Sequence, residues 1–174
     1  MNRILLAYYS RSGHTAAIAQ DLSNAGGWDS EQIHDRHSRL GGWGFVRSVL
    51  DIMLARHPPI LLTARNPADY ALVVLGAPVW MGRLSAPIRT YITQHRQYFS
   101  RIAFFCTYGG QGAERAARQC SALAGLPLAA TLAITDTEIE LGRYWDKLGE
   151  FQRQTAALVR SVDEADQNAP PARR

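Results

Sequence analysis

Four short runs of this chain are apolar at nearly every position: Arg3–Tyr8 (RILLAY), Leu72–Leu75 (LVVL), Ile102–Cys106 (IAFFC) and Leu128–Ile134 (LAATLAI). A strand with one wet face alternates apolar and polar residues. A run without alternation needs cover on both faces, as in a parallel sheet with helices above and below. The intervening segments supply those helices. Thr15–Asn24 places Ile18, Ala19 and Leu22 on one helical face. Pro87–Gln97 does the same with Ile88, Tyr91, Ile92 and His95, with Ser85 as N-cap and Pro87 in the first turn. Glu114–Leu123 is an alanine-rich helix closed by Gly125 and Pro127, and Tyr144, Leu148, Phe151, Thr155, Leu158 and Val162 mark a last one. Asp29–Asp35 is a polar strand suited to a sheet edge. The order predicts one doubly wound α/β domain over 1–162 with five parallel strands, followed by a disordered tail over 163–174.

Composition excludes several alternatives. The chain has 174 residues, 47% hydrophobic and 20% charged, enough for a substantial core. Two cysteines are too few for a disulfide scaffold, and no CxxC pair suggests a zinc module. The longest near-apolar stretch, Tyr70–Met81, falls short of the ~18–20 residues that span a bilayer. No secretory leader is visible at the N-terminus, so cytoplasm is the expected location. The formal charge is +4, and Lys147 is the only lysine among 19 basic residues. The arginines are scattered and not interleaved with aromatics, which argues against nucleic acid and for anionic small molecules or partners.

In doubly wound sheets, ligands sit at the carboxyl ends of the strands. The loop after the first strand is Ser10-Arg11-Ser12-Gly13-His14-Thr15, immediately before a helix. Free N–H groups, hydroxyls and the helix dipole make such a turn a phosphate cradle, and Gly13 allows backbone geometry that a side chain resists. Simple helix capping by Ser12 or Thr15 is the alternative. The loop lacks the lysine of GxxxxGK[ST] and the spacing of GxGxxG, so neither triphosphate hydrolysis nor a dinucleotide fingerprint is indicated.

Leu5–Thr15 (LLAYYSRSGHT), Val73–Ile88 (VVLGAPVWMGRLSAPI) and Ala103–Gly112 (AFFCTYGGQG) together resemble, in order and spacing, the three cofactor loops of the flavodoxin-like family. The resemblance covers most of the chain and implies strand order 2-1-3-4-5 and non-covalent FMN. Carried over by position, it implies that Ser10, Arg11, Ser12, Gly13, His14 and Thr15 hold the FMN phosphate. Pro78, Val79, Trp80, Met81 and Gly82 would then lie along one side of the isoalloxazine ring. Thr107, Tyr108, Gly109, Gly110 and Gly112 would lie along the other side and the pyrimidine edge. The chemistry agrees: a flat ring with a polar edge wants aromatic or apolar faces and close backbone donors, which glycines permit.

The chain also departs from the family. Many members carry asparagine where His14 stands, and carrier flavodoxins are usually acidic. No long insertion precedes the last helix, which matches the short-chain type. The stretch from Arg36 to Asn66 is longer than a crossover needs. Val46, Val49, Leu50 and Met53 share a helical face there, before Arg56-His57-Pro58-Pro59 ends the helix. Its apolar surplus could be core, a flavin lid or a homodimer surface.

Other chemistries find no support. Gly112 stands where a Cys106-based phosphatase loop needs arginine, Cys120 reads as packing, His34 and His37 lack companion ligands, and no GxSxG elbow exists. Arg11, Arg83 and Arg115 lie in or beside the cofactor loops, with Glu114 the only acidic neighbour in sequence. Positive charge favours the anionic form of a reduced flavin. The expected function is an FMN-dependent oxidoreductase passing electrons from a reduced nicotinamide or a protein donor to a quinone-like or other oxidised acceptor. The alternatives are a one-electron carrier docking redox partner proteins and a flavin-free interaction domain. His14 and Tyr108 are acid–base candidates by position alone.

Overall fold

The computed structural model describes residues 3–35 and 59–167. Five parallel strands form the sheet: β1 (Ile4–Tyr8), β2 (Asp29–Gln32), β3 (Leu72–Trp80), and, after a short antiparallel β4 (Arg83–Leu84), β5 (Ile102–Tyr108) and β6 (Leu128–Thr135). Their order is β2-β1-β3-β5-β6, with β4 paired to β3. Omitting that hairpin strand, this is the expected 2-1-3-4-5 order, with the polar β2 at an edge.

The helices are α1 (His14–Gly26), α2 (Ala86–His95), α3 (Ala113–Ala124), α4 (Asp136–Glu140) and α5 (Trp145–Gln167). Successive strand residues feed opposite layers, which is why the central runs are apolar throughout. Leu5, Val73, Leu75 and Phe104 pack with Ile88 and Tyr91 of α2 and Cys120 of α3. Leu6, Val74, Phe105 and Leu132 pack with Ile18 and Leu22 of α1 and Leu148 and Phe151 of α5. Gly76 is required for this packing: a Cβ there would lie 2.1 Å from the Phe105 ring.

Several element boundaries differ from the sequence expectation, among them the end of the polar strand, which stops at Gln32 and not Asp35. The strand that begins at Leu72 continues beyond Leu75 to Trp80, so Pro78, Val79 and Trp80 belong to it and not to a loop. Pro78 is tolerated because β1 ends at the partner of Gly76, leaving that flank of β3 uncovered until β4 begins opposite Val79. The last helix passes Asp163 and runs to Gln167, since Asp, Glu, Ala and Gln continue a helix after the buried stripe stops and no proline intervenes before Pro170. The short helix α4 was not expected. The helix proposed around Val46–Met53, and residues 168–174 of the tail, lie outside the described residues.

Candidate functional site

The site is built at the carboxyl ends of β1, β3 and β5. After Tyr9, whose N–H donates to the Gly76 carbonyl, the chain leaves the sheet and turns into α1. Gly13 is the N-cap, at φ +100°, a left-handed value that disfavours any other residue. The first N–H groups of a helix lack intrahelical partners. Ser10 Oγ accepts two of them, from Gly13 at 3.3 Å and Ala16 at 3.2 Å. The first intrahelical bond runs from Ala17 N–H to the Gly13 carbonyl, so helical geometry leaves the N–H groups of His14 and Thr15 aimed outward. Ser12 and Thr15 are not the caps: Ser12 is exposed, and the Thr15 hydroxyl is buried against Thr107.

Three contacts tie the loops together. The hydroxyls of Thr15 and Thr107 share a hydrogen bond at 2.8 Å, joining α1 to the end of β5. The Arg11 guanidinium lies over the Trp80 ring, 5.3 Å from its centroid, joining the first loop to the end of β3. Gly82 and Gly112 meet backbone to backbone: a Cβ on Gly112 would lie 2.3 Å from the Gly82 Cα.

The second loop is a two-residue hairpin turn. Met81 at φ +53° and Gly82 at φ +69° are both left-handed, the geometry that matches strand twist in tight hairpins. Met81 projects into solvent at 75% exposure. The Leu84 N–H donates to Gln119 Oε1 of α3, which holds the hairpin down. Trp80 and Tyr108 end adjacent strands and are half-buried against the same apolar cluster, which also contains Val79. Gly109 and Gly110 are exposed, Gly110 at φ +147° with open space where a side chain would stand, and Gly112 caps α3 at φ +96°.

One participant escapes the sequence reading. Asp136, the first residue of α4, accepts a hydrogen bond from His14 Nδ1 at 3.0 Å, and its other oxygen stands 3.6 Å from where a Gly109 Cβ would be. Glu114 is therefore not the only acidic neighbour of the loops. A signal was present: Thr135-Asp136-Thr137-Glu138 is a capping box at the end of a strand, and the structure forms both of its reciprocal bonds. Burial lowers the pKa of Arg89 on α2, and the positive charge of Arg83 adds to the effect.

Burial pushes the Cys106 thiol up to about 12 and Cys120 higher still, so neither is a nucleophile at neutral pH. Among the described residues no cluster of His, Cys, Asp and Glu could hold a metal, and no helix is long and apolar enough to cross a membrane.

Comparison with known proteins extends this picture. No curated protein matches the sequence. A flavoprotein from Lactobacillus acidophilus NCFM, solved in complex with FMN, superposes with TM-score 0.68 at 23% identity over 81% of this chain and 98% of its own. The apo-form of the flavoprotein from the same organism gives TM-score 0.61 at 26% identity, over 80% and 96%. The Flv1 flavodiiron core from Synechocystis sp. PCC6803 gives 0.55 at 16% identity, over 92% of this chain and 36% of that one. The cofactor expected from the three loops agrees with the first of these. The flavodoxin family model matches residues 3–127, a span holding every loop just described, and the chain belongs to the flavodoxin family.

Proposed function

We propose that this protein binds FMN and works as an oxidoreductase, taking electrons from a reduced nicotinamide or protein donor and passing them to a quinone-like or other oxidised acceptor. The residues present fit the cofactor. The outward N–H groups of His14 and Thr15, with exposed Ser12 two residues before His14 in the same turn, suit a phosphate at the start of α1. Trp80 and Tyr108 offer flat apolar surface, and the open backbone at Gly109 and Gly110 lets main-chain donors approach a polar ring edge. When bound there, FMN supplies one- and two-electron redox chemistry.

The observation that carries the oxidoreductase reading is Arg11 over Trp80 at 5.3 Å. It sets a guanidinium at the ring end of the site, with Arg83 opposite Trp80 in the hairpin register and the Arg115 stem within 3.4 Å of where a Gly82 Cβ would be. Of the acidic groups nearby, Asp136 is bonded to His14 and Glu114 to Arg118. Excess positive charge makes electron uptake by the ring easier, the opposite of what a low-potential carrier needs. The carrier reading is favoured by one feature, the exposed Met81 at the hairpin tip, which offers a partner protein an apolar foothold.

The test is the absorbance spectrum of the purified protein with FMN, followed by anaerobic addition of NADH or NADPH. Flavin bands that bleach and return with a quinone support the enzyme. Bands that bleach only with a reduced protein donor support the carrier. A protein that gains no flavin band from added FMN is a flavin-free domain, and the proposal fails.

A further inference from the structure

The contact between His14 and Asp136 places a carboxylate 3.0 Å from His14, in the loop to which the flavin reading above assigns the phosphate. An unscreened carboxylate beside a phosphate dianion disfavours binding. The imidazole is the group between them. Its Nδ1 is taken by Asp136, which leaves Nε2 as its only other donor, and among the described residues no partner for Nε2 exists. Protonated, the ring donates on both sides and carries the charge that reconciles two anions.

We propose that His14, oriented by Asp136, completes the phosphate end of the site as an imidazolium, so that FMN binds together with a proton. This deepens the flavin reading above and rests on it. Asp136 acts as a positioning residue: it fixes the ring through Nδ1. The other charged and titratable groups on the surrounding elements do not replace this role. Arg11 of the same loop is directed to Trp80. Glu138 of α4 is held by Lys147 and by the Thr135 N–H. Asp21 of α1 accepts from the Tyr144 hydroxyl of α5, and Tyr108 closes β5. The His14–Asp136 pair is partly exposed, at 38% and 45%, so solvent screens it and the coupling is moderate.

The experiment is calorimetric titration of the apo-protein with FMN at pH 7 in buffers of differing ionisation enthalpy, which counts protons taken up per flavin bound. Wild type is expected to take up roughly half a proton and His14→Gln close to none. Gln keeps a donor toward Asp136 without titrating. The ratio of wild-type to H14Q affinity, from fluorescence titration, is expected to fall about five-fold between pH 6 and pH 8.5, with the titration of the FMN phosphate cancelling in the ratio. Wild type binding FMN with no proton uptake overturns the inference and leaves the flavin reading standing. A pH-independent affinity ratio does the same. Failure of wild type to bind FMN at all overturns both.

Discussion

At the scale of single residues, the site depends on groups whose size or charge has no substitute. Gly112 is the clearest. Its φ of +96° and the Gly82 backbone 2.3 Å from its virtual Cβ are separate penalties for any larger residue. Gly112→Ala is expected to cost about 1–3 kcal/mol in urea unfolding, because neither partner is a flexible side chain that can step aside. Gly110→Ala meets no atom and suffers only from its φ of +147°, so it is expected to cost less. Arg11 carries a different prediction. Arg11→Gln removes the cation from the Trp80 face and is expected to weaken FMN about ten-fold, read by flavin fluorescence quenching. An unchanged affinity would place Arg11 outside the flavin site.

At the scale of elements, the end of β6 is organised by Glu138. The Lys147 ammonium and the Thr135 N–H hold its carboxyl down to about 2. A carboxyl lowered in the folded state stabilises the fold above its ordinary range, and that stabilisation is lost as pH falls through the folded value. Glu138→Gln should therefore unfold at lower urea than wild type at pH 7, by about 1 kcal/mol for the lost ion pair with Lys147 and the weaker, uncharged bond to the Thr135 N–H. The difference is expected to shrink between pH 4.5 and pH 2. A difference that persists undiminished at pH 2 would assign the effect to packing. The sequence made the central strands legible because two-sided burial writes itself as an uninterrupted apolar run, as in Leu72–Leu75. It concealed the rest of β3 because Gly76 and Pro78 usually punctuate, whereas here Gly76 makes room for Phe105 and Pro78 occupies a flank without a neighbour. It concealed α4 because five residues contain no helical period, although their capping box was readable.

At the scale of the whole molecule, the three loops at the strand ends were legible as short motifs, each tied to the end of one strand. Their joints were not. Thr15 with Thr107, Arg11 with Trp80, and His14 with Asp136 link positions that only the sheet order brings together. The net charge of +4 has a kinetic consequence. If electrons arrive from an anionic donor such as NADPH, the reduction rate is expected to fall as ionic strength rises from about 0.05 to 0.5 M, because salt shortens the reach of the arginines. Stopped-flow rates that stay level would remove electrostatic steering from the account. The touching turns at Gly82 and Gly112 have a mechanical consequence as well. Bare main chain meeting bare main chain leaves no pliable cushion to absorb a displacement. Whatever pushes one wall of the cleft is passed at once to the other, so the two turns should shift as a single jaw when a ring enters.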